Sequence, residues 1–397
     1  MNRLTPTDWM LASDTHRVQA ALTDAGGTVR FVGGCVRDAL LGRTVKDIDL
    51  TTDLTPPVVI EALSTAGIRF IPTGIDHGTI TALPDHRPFE VTSLRRDVET
   101  DGRRAVVAYT TDWREDSLRR DFTVNALYAD ADGTITDFHG GLADLELRHL
   151  RFIGDADMRI REDVLRILRF FRFHAQINCP AFDRDGLDAC RARRDLLPDL
   201  SAERVSGELL RLIGLPAPIP ALTVMLTDGF LDHWLPEVTE TAILARLIDR
   251  TADPILRLAA LLPTGADGQA VATRLRLSNK DAARLSFLTE NTAPPKDEKA
   301  ARAAVYHLGP DRALNRAVLG TARDGDGWAG LESVARGWAP PLFPVSGKDA
   351  IALGLAPGPA LGDALTRLES DWIDGDFLDD RDTLLARLKD LGEGETP

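Results

Sequence analysis

The segment GGCVRDALLGRTVKDIDLTT, from Gly33 to Thr52, gathers the residue types that phosphoryl transfer requires. Asp47 and Asp49 stand two apart, and on a strand such residues face the same way, with Ile48 turned to the core between them. Two carboxylates so close repel each other unless a cation joins them, and a pair of hard oxygen donors suits Mg²⁺. Upstream, Gly33 and Gly34 let backbone N–H groups approach a phosphate chain, and Arg37 follows just beyond. Each fragment alone has a plainer reading, a glycine turn with a helix cap or a chance DxD. Their conjunction in one short unit is what points to metal-assisted phosphoryl transfer. Glu90, in RPFEVTSLRRD, is the third metal ligand if its strand lies beside that of Asp47 and Asp49, and otherwise a solvent-facing strand residue.

Short alternating elements must position this group. TVRFVGG reads as a strand entering a glycine turn, CVRDALLG as a helix start and DIDLTT as a second strand. PPVVIEALSTAG is a helix opened by prolines and closed at Gly67. GTITALP and RPFEVTSLR are two strands joined through Pro84 and Asp85. The polar stretch from Arg96 to Asp116 is expected to be an exposed, mobile loop. SLRRDFTVNALYAD returns to ordered structure, and ADGTITDFHGG adds a hairpin-like element. From Arg159 the period becomes helical: Val164, Leu165, Leu168 and Phe171 share an apolar face, while Asp163, Arg166 and Arg169 follow at three-residue steps on another. LSAERVSGELLRLIG is a helix that stops at Gly214, and proline-rich breaks follow at LPAPIPA and WAPPLFPVSG. The acidic tail ending in GEGETP is expected to fray. The pattern is an α/β head followed by a long, all-helical remainder.

With 397 residues the chain has length for roughly two to four packed units. The N-terminal segment has no apolar stretch suited to a signal peptide, and no run of 18 apolar residues suggests a membrane span. Cys35, Cys179 and Cys190 are odd in number and lack CxxC spacing, which argues against a zinc knuckle or disulfide scaffold and fits a reducing cytoplasm. A formal charge of −14 lowers the expectation of non-specific nucleic-acid binding, yet a local basic surface is still able to hold a phosphate backbone.

Four ordered blocks then carry a resemblance: GGCVRDALLG with KDIDLTT, RRDFTVNALYAD, FIGDADMRIREDVLRILRFFRFHA and LSAERVSGELLRL, together spanning residues 28 to 213. In these blocks the chain resembles the class II tRNA nucleotidyltransferase and bacterial poly(A) polymerase family, the CCA-adding enzymes. GKDAIALGLAPGPALGDAL is similar to a segment near the C-terminus of many members and extends the likeness to about residue 373. The resemblance implies an α/β polymerase-β-like nucleotidyltransferase head followed by an all-helical neck, body and tail, with boundaries at 1–150, 151–215, 216–340 and 341–397.

The same resemblance implies catalysis through Mg²⁺ on Asp47 and Asp49, with the 3′ end of a tRNA attacking CTP or ATP and pyrophosphate leaving. Gly33, Gly34 and Arg37 would hold the triphosphate, and Arg120, Asp121 and Asn125 would surround ribose and phosphates. Glu162, Asp163 and Arg166 match the family's base-reading block, with Asp163 and Arg166 one helical turn apart and able to share one Watson–Crick edge. Arg169 and Arg172 would support that face or touch RNA. Glu203 and Arg204 are expected to be structural, as are the hydrogen bonds of His77 and His139. Trp113 would pack as an anchor for the charged loop or stack on a base. Basic residues at 274, 276, 280, 302, 312 and 316 are scattered candidates for RNA backbone contact. No His–Asp pair occurs, so phosphohydrolase chemistry of the kind some bacterial relatives carry is not expected. Poly(A) addition and CC- or A-adding specialism use the same head, and a non-catalytic RNA-binding protein is the reading from another class.

Overall fold

The computed structural model describes residues 3–85, 87–101 and 104–393. Its contacts divide the chain into two compact units, one of residues up to Pro236 with Arg274–Arg276, the other of Glu237–Thr273 with Leu277 onward.

The first unit opens with α1 (Asp8–Leu11) and α2 (Ser13–Asp24), then β1 (Val29–Val32), α3 (Gly34–Leu40), β2 (Ile48–Thr52) and α4 (Pro56–Thr65). β3 (Arg69–Gly74), β4 (Thr79–Leu83) and β5 (Phe89–Ser93) follow. With β8 (Leu127–Ala129) and β9 (Ile135–Asp137) they form a seven-stranded sheet of order β3-β4-β5-β2-β1-β8-β9. Only β2 and β5 of the neighbours run parallel. That pairing is what sets Asp49 opposite Glu90. Along β2, Ile48 and Leu50 are buried while Asp49 is half-buried, as alternation across a sheet requires.

The segment expected as a mobile loop instead forms a second, two-stranded sheet, β6 (Arg95–Asp101) with β7 (Arg104–Tyr109). The charge count concealed β-branched residues, Val98, Thr100, Val106 and Val107, on either side of an Asp–Gly step, which is a hairpin signal. α5 (Trp113–Leu118) ends the segment, its N-cap Asp112 accepting from the backbone N–H groups of Arg114 and Glu115. Trp113 packs edge-on to Tyr128 at 5.5 Å and under the Arg30 guanidinium at 4.4 Å.

After α6 (Gly141–Glu146) come α7 (Ala156–Glu162), α8 (Arg166–Ile177), α9 (Arg184–Ala192), α10 (Ala202–Ile213) and α11 (Ile219–Thr227). The helix anticipated from Arg159 is broken. Asp163 has extended backbone (φ −154°, ψ 104°) and separates α7 from α8, so Asp163 and Arg166 do not share a helical turn. The carboxylate of Asp163 accepts from the Leu165 N–H, the local competition with helix continuation that short acidic side chains offer. α8 buries Ile167, Leu168, Phe170, Phe171 and Phe173. Phe170 stacks on Phe152 at 5.4 Å, and Phe173 meets Phe122 edge-on at 5.5 Å, so aromatic packing fastens α8 to the strand-bearing part.

The second unit is helical among its described residues, from Ala242–Leu247 to Arg381–Glu393. One core gathers Val305, Ala317, Trp328 and Leu331; another gathers Leu368, Trp372, Leu384 and Leu388. Several of the expected RNA-contacting cations are already paired: Arg302 with Asp376 at 2.6 Å and Arg316 with Glu290 at 2.7 Å, while in the first unit Arg276 meets Glu203 at 2.7 Å. The fraying expected for GEGETP falls largely on residues 394–397, outside the described residues.

Candidate active site

Gly33 leaves β1 with φ +70° and ψ −120°, a conformation that a side chain strains, and its carbonyl accepts the first turn of α3 from Arg37 N–H. α3 then runs beside β1 and β2, which carries Gly34 and Arg37 to the edge of a cavity of about 760 Å³. Gly33, Gly34, Arg37, Asp47, Asp49, Arg120, Asp121, Asn125, Asp163, Arg166 and Arg169 all line it. Glu90 does not. It is exposed on β5, level with Asp49.

The lining includes eight arginines against four aspartates, so a chain of net charge −14 has a locally cationic cleft. Sequence reasoning missed Arg95, Arg119 and Arg211 as lining residues, because nothing local distinguishes them from solvated surface arginines.

Most of these cations are held rigidly. Arg37 donates to Asn125 Oδ1 at 2.6 Å and forks onto Asp38 at 2.9 and 3.0 Å. Asn125 in turn donates to Asp121 at 3.0 Å, and Asp121 accepts from Arg169 at 2.8 and 2.5 Å. Burial alone would raise the Asp121 carboxyl, but Arg169 and the Asn125 hydrogen bond bring it down to about 2. Arg120 donates to the Tyr128 hydroxyl and to buried Asp116, both at 3.2 Å. Burial opposes the charge on Arg120, yet Tyr128 and Asp116 hold its pKa above the ordinary value.

Asp163 is gripped by Arg204, whose Nη2 donates to both carboxylate oxygens at 2.9 and 2.8 Å. Arg204 therefore does more than support the helix it lies on: α10 reaches across to orient a residue of the cavity wall. Arg166 is held by Glu162 at 2.6 Å and by the Arg159 carbonyl at 2.7 Å. His139 bonds Ser117 at 2.8 Å across 22 residues, so its hydrogen bond joins the end of β9 to α5 and is not local to its own turn.

Asp49 differs from the rest. Burial pushes its carboxyl up to about 6, and the charges of Glu90 and Asp47 add to this against the pull of Arg120. Among the described residues no group of three or more His, Cys, Asp or Glu side chains is placed to hold a metal ion, so Glu90 does not complete a three-carboxylate site with Asp47 and Asp49 in this arrangement. The donor chemistry nonetheless fits a divalent cation: two carboxylates, one destabilised by its negative neighbours, open to a cavity.

Residues 29–151 match the family described as the poly A polymerase head domain, and residues 181–241 match the probable RNA and SrmB-binding site of polymerase A. The Mus musculus mitochondrial CCA tRNA nucleotidyltransferase 1 is 34% identical over 377 residues, covering 91% of this chain and 86% of the relative. The chain belongs to the CCA tRNA nucleotidyltransferases. A CCA-adding enzyme of Levilactobacillus brevis is 32% identical over 94% of this chain and 96% of its own. Among solved structures of CCA-adding enzymes, that of Bacillus stearothermophilus in complex with CTP superposes with a TM-score of 0.76 at 28% identity, covering 95% of this chain and 96% of that one. As a CCA tRNA nucleotidyltransferase, the chain thus shares the nucleotidyltransferase head and the helical remainder along almost its whole length.

Proposed function

We propose that this chain adds CCA to the 3′ end of tRNA, using CTP and ATP and releasing pyrophosphate without a nucleic-acid template. The observation that carries the reading is the shared cavity in which a carboxylate pair, an arginine-rich wall and the Asp163–Arg166 pair converge. The four-part division at residues 150, 215 and 340 belongs to the same reading.

In this account Asp47 and Asp49 would hold Mg²⁺, which supplies, when bound, a lowered pKa for the attacking hydroxyl and charge neutralisation for the departing pyrophosphate. Glu90 is the candidate third ligand, from its place beside Asp49. The 3′-oxygen of the RNA forms a bond to the α-phosphorus as the bond to the β-phosphate bridge breaks. Gly33 and Gly34 give the triphosphate close approach to backbone, and Arg120 and Arg37 supply fixed positive charge where negative charge moves to the leaving group. Asp121 and Asn125, held by Arg169 and Arg37, present oxygens and an amide toward the ribose. Asp163 accepts from the exocyclic amine that C and A share, whereas U and G offer a carbonyl there; Arg166 donates to a ring acceptor. Because these contacts come from side chains, no template strand is needed to select the base.

Free, buried Cys35, Cys179 and Cys190 support a reducing compartment, in our reading the cytoplasm. No described helix is long and apolar enough to cross a membrane. The test is extension of a tRNA transcript ending at the discriminator base, with Mg²⁺ and CTP, ATP or both. Two additions with CTP and three with both are expected. Long tails from ATP alone would make the chain a poly(A) polymerase, and arrest after two additions with both nucleotides would make it a CC-adding specialist.

A further inference from the structure

Along α10, Arg204, Glu208 and Arg211 follow at steps of four and three residues and share one face, while Val205, Leu209 and Leu212 turn to the core. The helix packs against α8, on which Arg169 and Arg172 stand one turn apart. Glu208 is buried among the cations of the cavity wall. Arg172 Nε donates to its Oε2 at 2.5 Å, and the guanidiniums of Arg169 and Arg211 stand 3.7 and 3.6 Å from its Oε1. All three arginines line the cavity that holds Asp47 and Asp49. Arg169 is also the residue that grips Asp121, at 2.8 and 2.5 Å. Two carboxylates, Glu208 and Asp121, thus divide three guanidiniums between them.

Arg172 depends most on that division. Burial lowers its pKa, the charge and hydrogen bond of Glu208 work against this, and the charge of Asp121 acts in the same sense as Glu208. Asp121 therefore lies within electrostatic reach of Arg172. Next to it, Asn125 Nδ2 gives one hydrogen to Asp121 Oδ1 at 3.0 Å and carries a second that a ribose hydroxyl is able to accept.

We propose that Glu208 is a positioning residue for ribose recognition: by holding Arg172 it leaves Asp121 to Arg169, and so keeps the Asp121–Asn125 pair set toward the sugar. The inference rests on the reading above that this cavity takes CTP and ATP. With Glu208 neutral, Arg172 loses its nearest charge and turns to Asp121, where it competes with Arg169. The carboxylate shifts, and the Asn125 amide bonded to it follows. Asp163 and Arg166 are held separately, by Arg204 and Glu162, so base choice is not carried along.

The experiment measures kcat/KM for single-nucleotide extension of a tRNA transcript lacking CCA, with CTP, dCTP and UTP, for the wild type, Glu208→Gln and Glu208→Gln with Arg172→Gln. Thermal melts verify folding. The wild type is expected to favour CTP over dCTP, and equal use of the two would overturn the proposal at once. In Glu208→Gln the CTP over dCTP ratio should fall roughly fivefold, while CTP over UTP stays within about twofold. With the competing guanidinium gone, the double variant should return the dCTP ratio to within about twofold of wild type. A merely structural Glu208 predicts the opposite, because a second loss in the same buried cluster adds to the damage. An unchanged dCTP ratio in folded Glu208→Gln, a parallel fall of both ratios, or a double variant worse than the single would each refute the assignment. Where Glu208→Gln does not fold, Glu208→Asp keeps the charge but withdraws it from Arg172 by one methylene; a fall in the dCTP ratio is expected there too, and its absence counts against the proposal. A wild type that extends no RNA would defeat the CCA reading, and equilibrium dialysis of CTP and dCTP on the same variants without RNA would still decide the role of Glu208.

Discussion

If Asp163 reads the base as proposed, removing the Arg204 side chain isolates the part of base selection that depends on orientation. In Arg204→Ala, Asp163 keeps its carboxylate but loses the nitrogen that holds both of its oxygens at 2.8 and 2.9 Å. The two side chains are 31% and 25% exposed, so the pair lies between a surface ion pair and a fully buried one. A value of about 1 kcal/mol follows, above the median of exposed pairs and well below the cost of stranding a buried charge. Asp163 retains two hydrogen bonds of the local turn, from Leu165 N–H to its side chain and from Arg166 N–H to its carbonyl, so the chain break between the helices persists and the loss falls on side-chain direction. If direction is what distinguishes an amine from a carbonyl on the base edge, the kcat/KM ratio of CTP over UTP should fall roughly fivefold. Arg204→Lys, which restores a donor of the same charge, should recover part of the ratio. The assay is single-nucleotide extension of a tRNA transcript with CTP and UTP separately, with thermal melts to verify folding. A ratio within about twofold of wild type, in a background where Asp163→Ala abolishes selection, would refute orientation by Arg204.

If Asp49 holds the metal as proposed, Asp49→Asn should reduce incorporation by about three orders of magnitude or more, because a neutral amide binds a divalent cation far more weakly than a carboxylate, while tRNA affinity in a filter-binding assay changes little. Retained incorporation would remove Asp49 from the metal site. His174 stacks on Phe182 at 3.6 Å, its Nδ1 has no hydrogen-bond partner among the described residues, and burial lowers its pKa to about 4. The unfolded chain takes up this proton first as pH falls through the ordinary value of about 6.5, so stability is lost between there and about 4, up to about 3 kcal/mol. His174→Phe should flatten that part of the stability curve in urea melts from neutral to acid pH, and an unchanged acid slope would contradict the burial argument. Burial pushes the Cys35 and Cys179 thiols up to about 12 and raises Cys190 as well. All three should therefore resist a thiol reagent in the native protein and react on unfolding in denaturant; rapid native labelling would show that one of them opens to solvent.

What the sequence determined by itself was local. The i, i+2 spacing of Asp47 and Asp49, the glycine turn before α3 and the proline-opened α4 follow from backbone geometry over a few residues, and they sufficed to mark the candidate catalytic unit. The ordered blocks extended that mark to the family. Tertiary structure decided the rest, because its contacts join positions with no local relation: Arg37 to Asn125 across 88 residues, Asp121 to Arg169 across 48, Asp163 to Arg204 across 41. Helical periodicity ran through Asp163 without revealing the break, since a side chain competing for a backbone N–H does not alter the spacing of apolar residues. Charge content hid the β6–β7 hairpin in the same way, by outweighing the β-branched alternation beneath it. The arginine cluster around Glu208 depends on how α8 and α10 close together, and only folding brings those surfaces into contact.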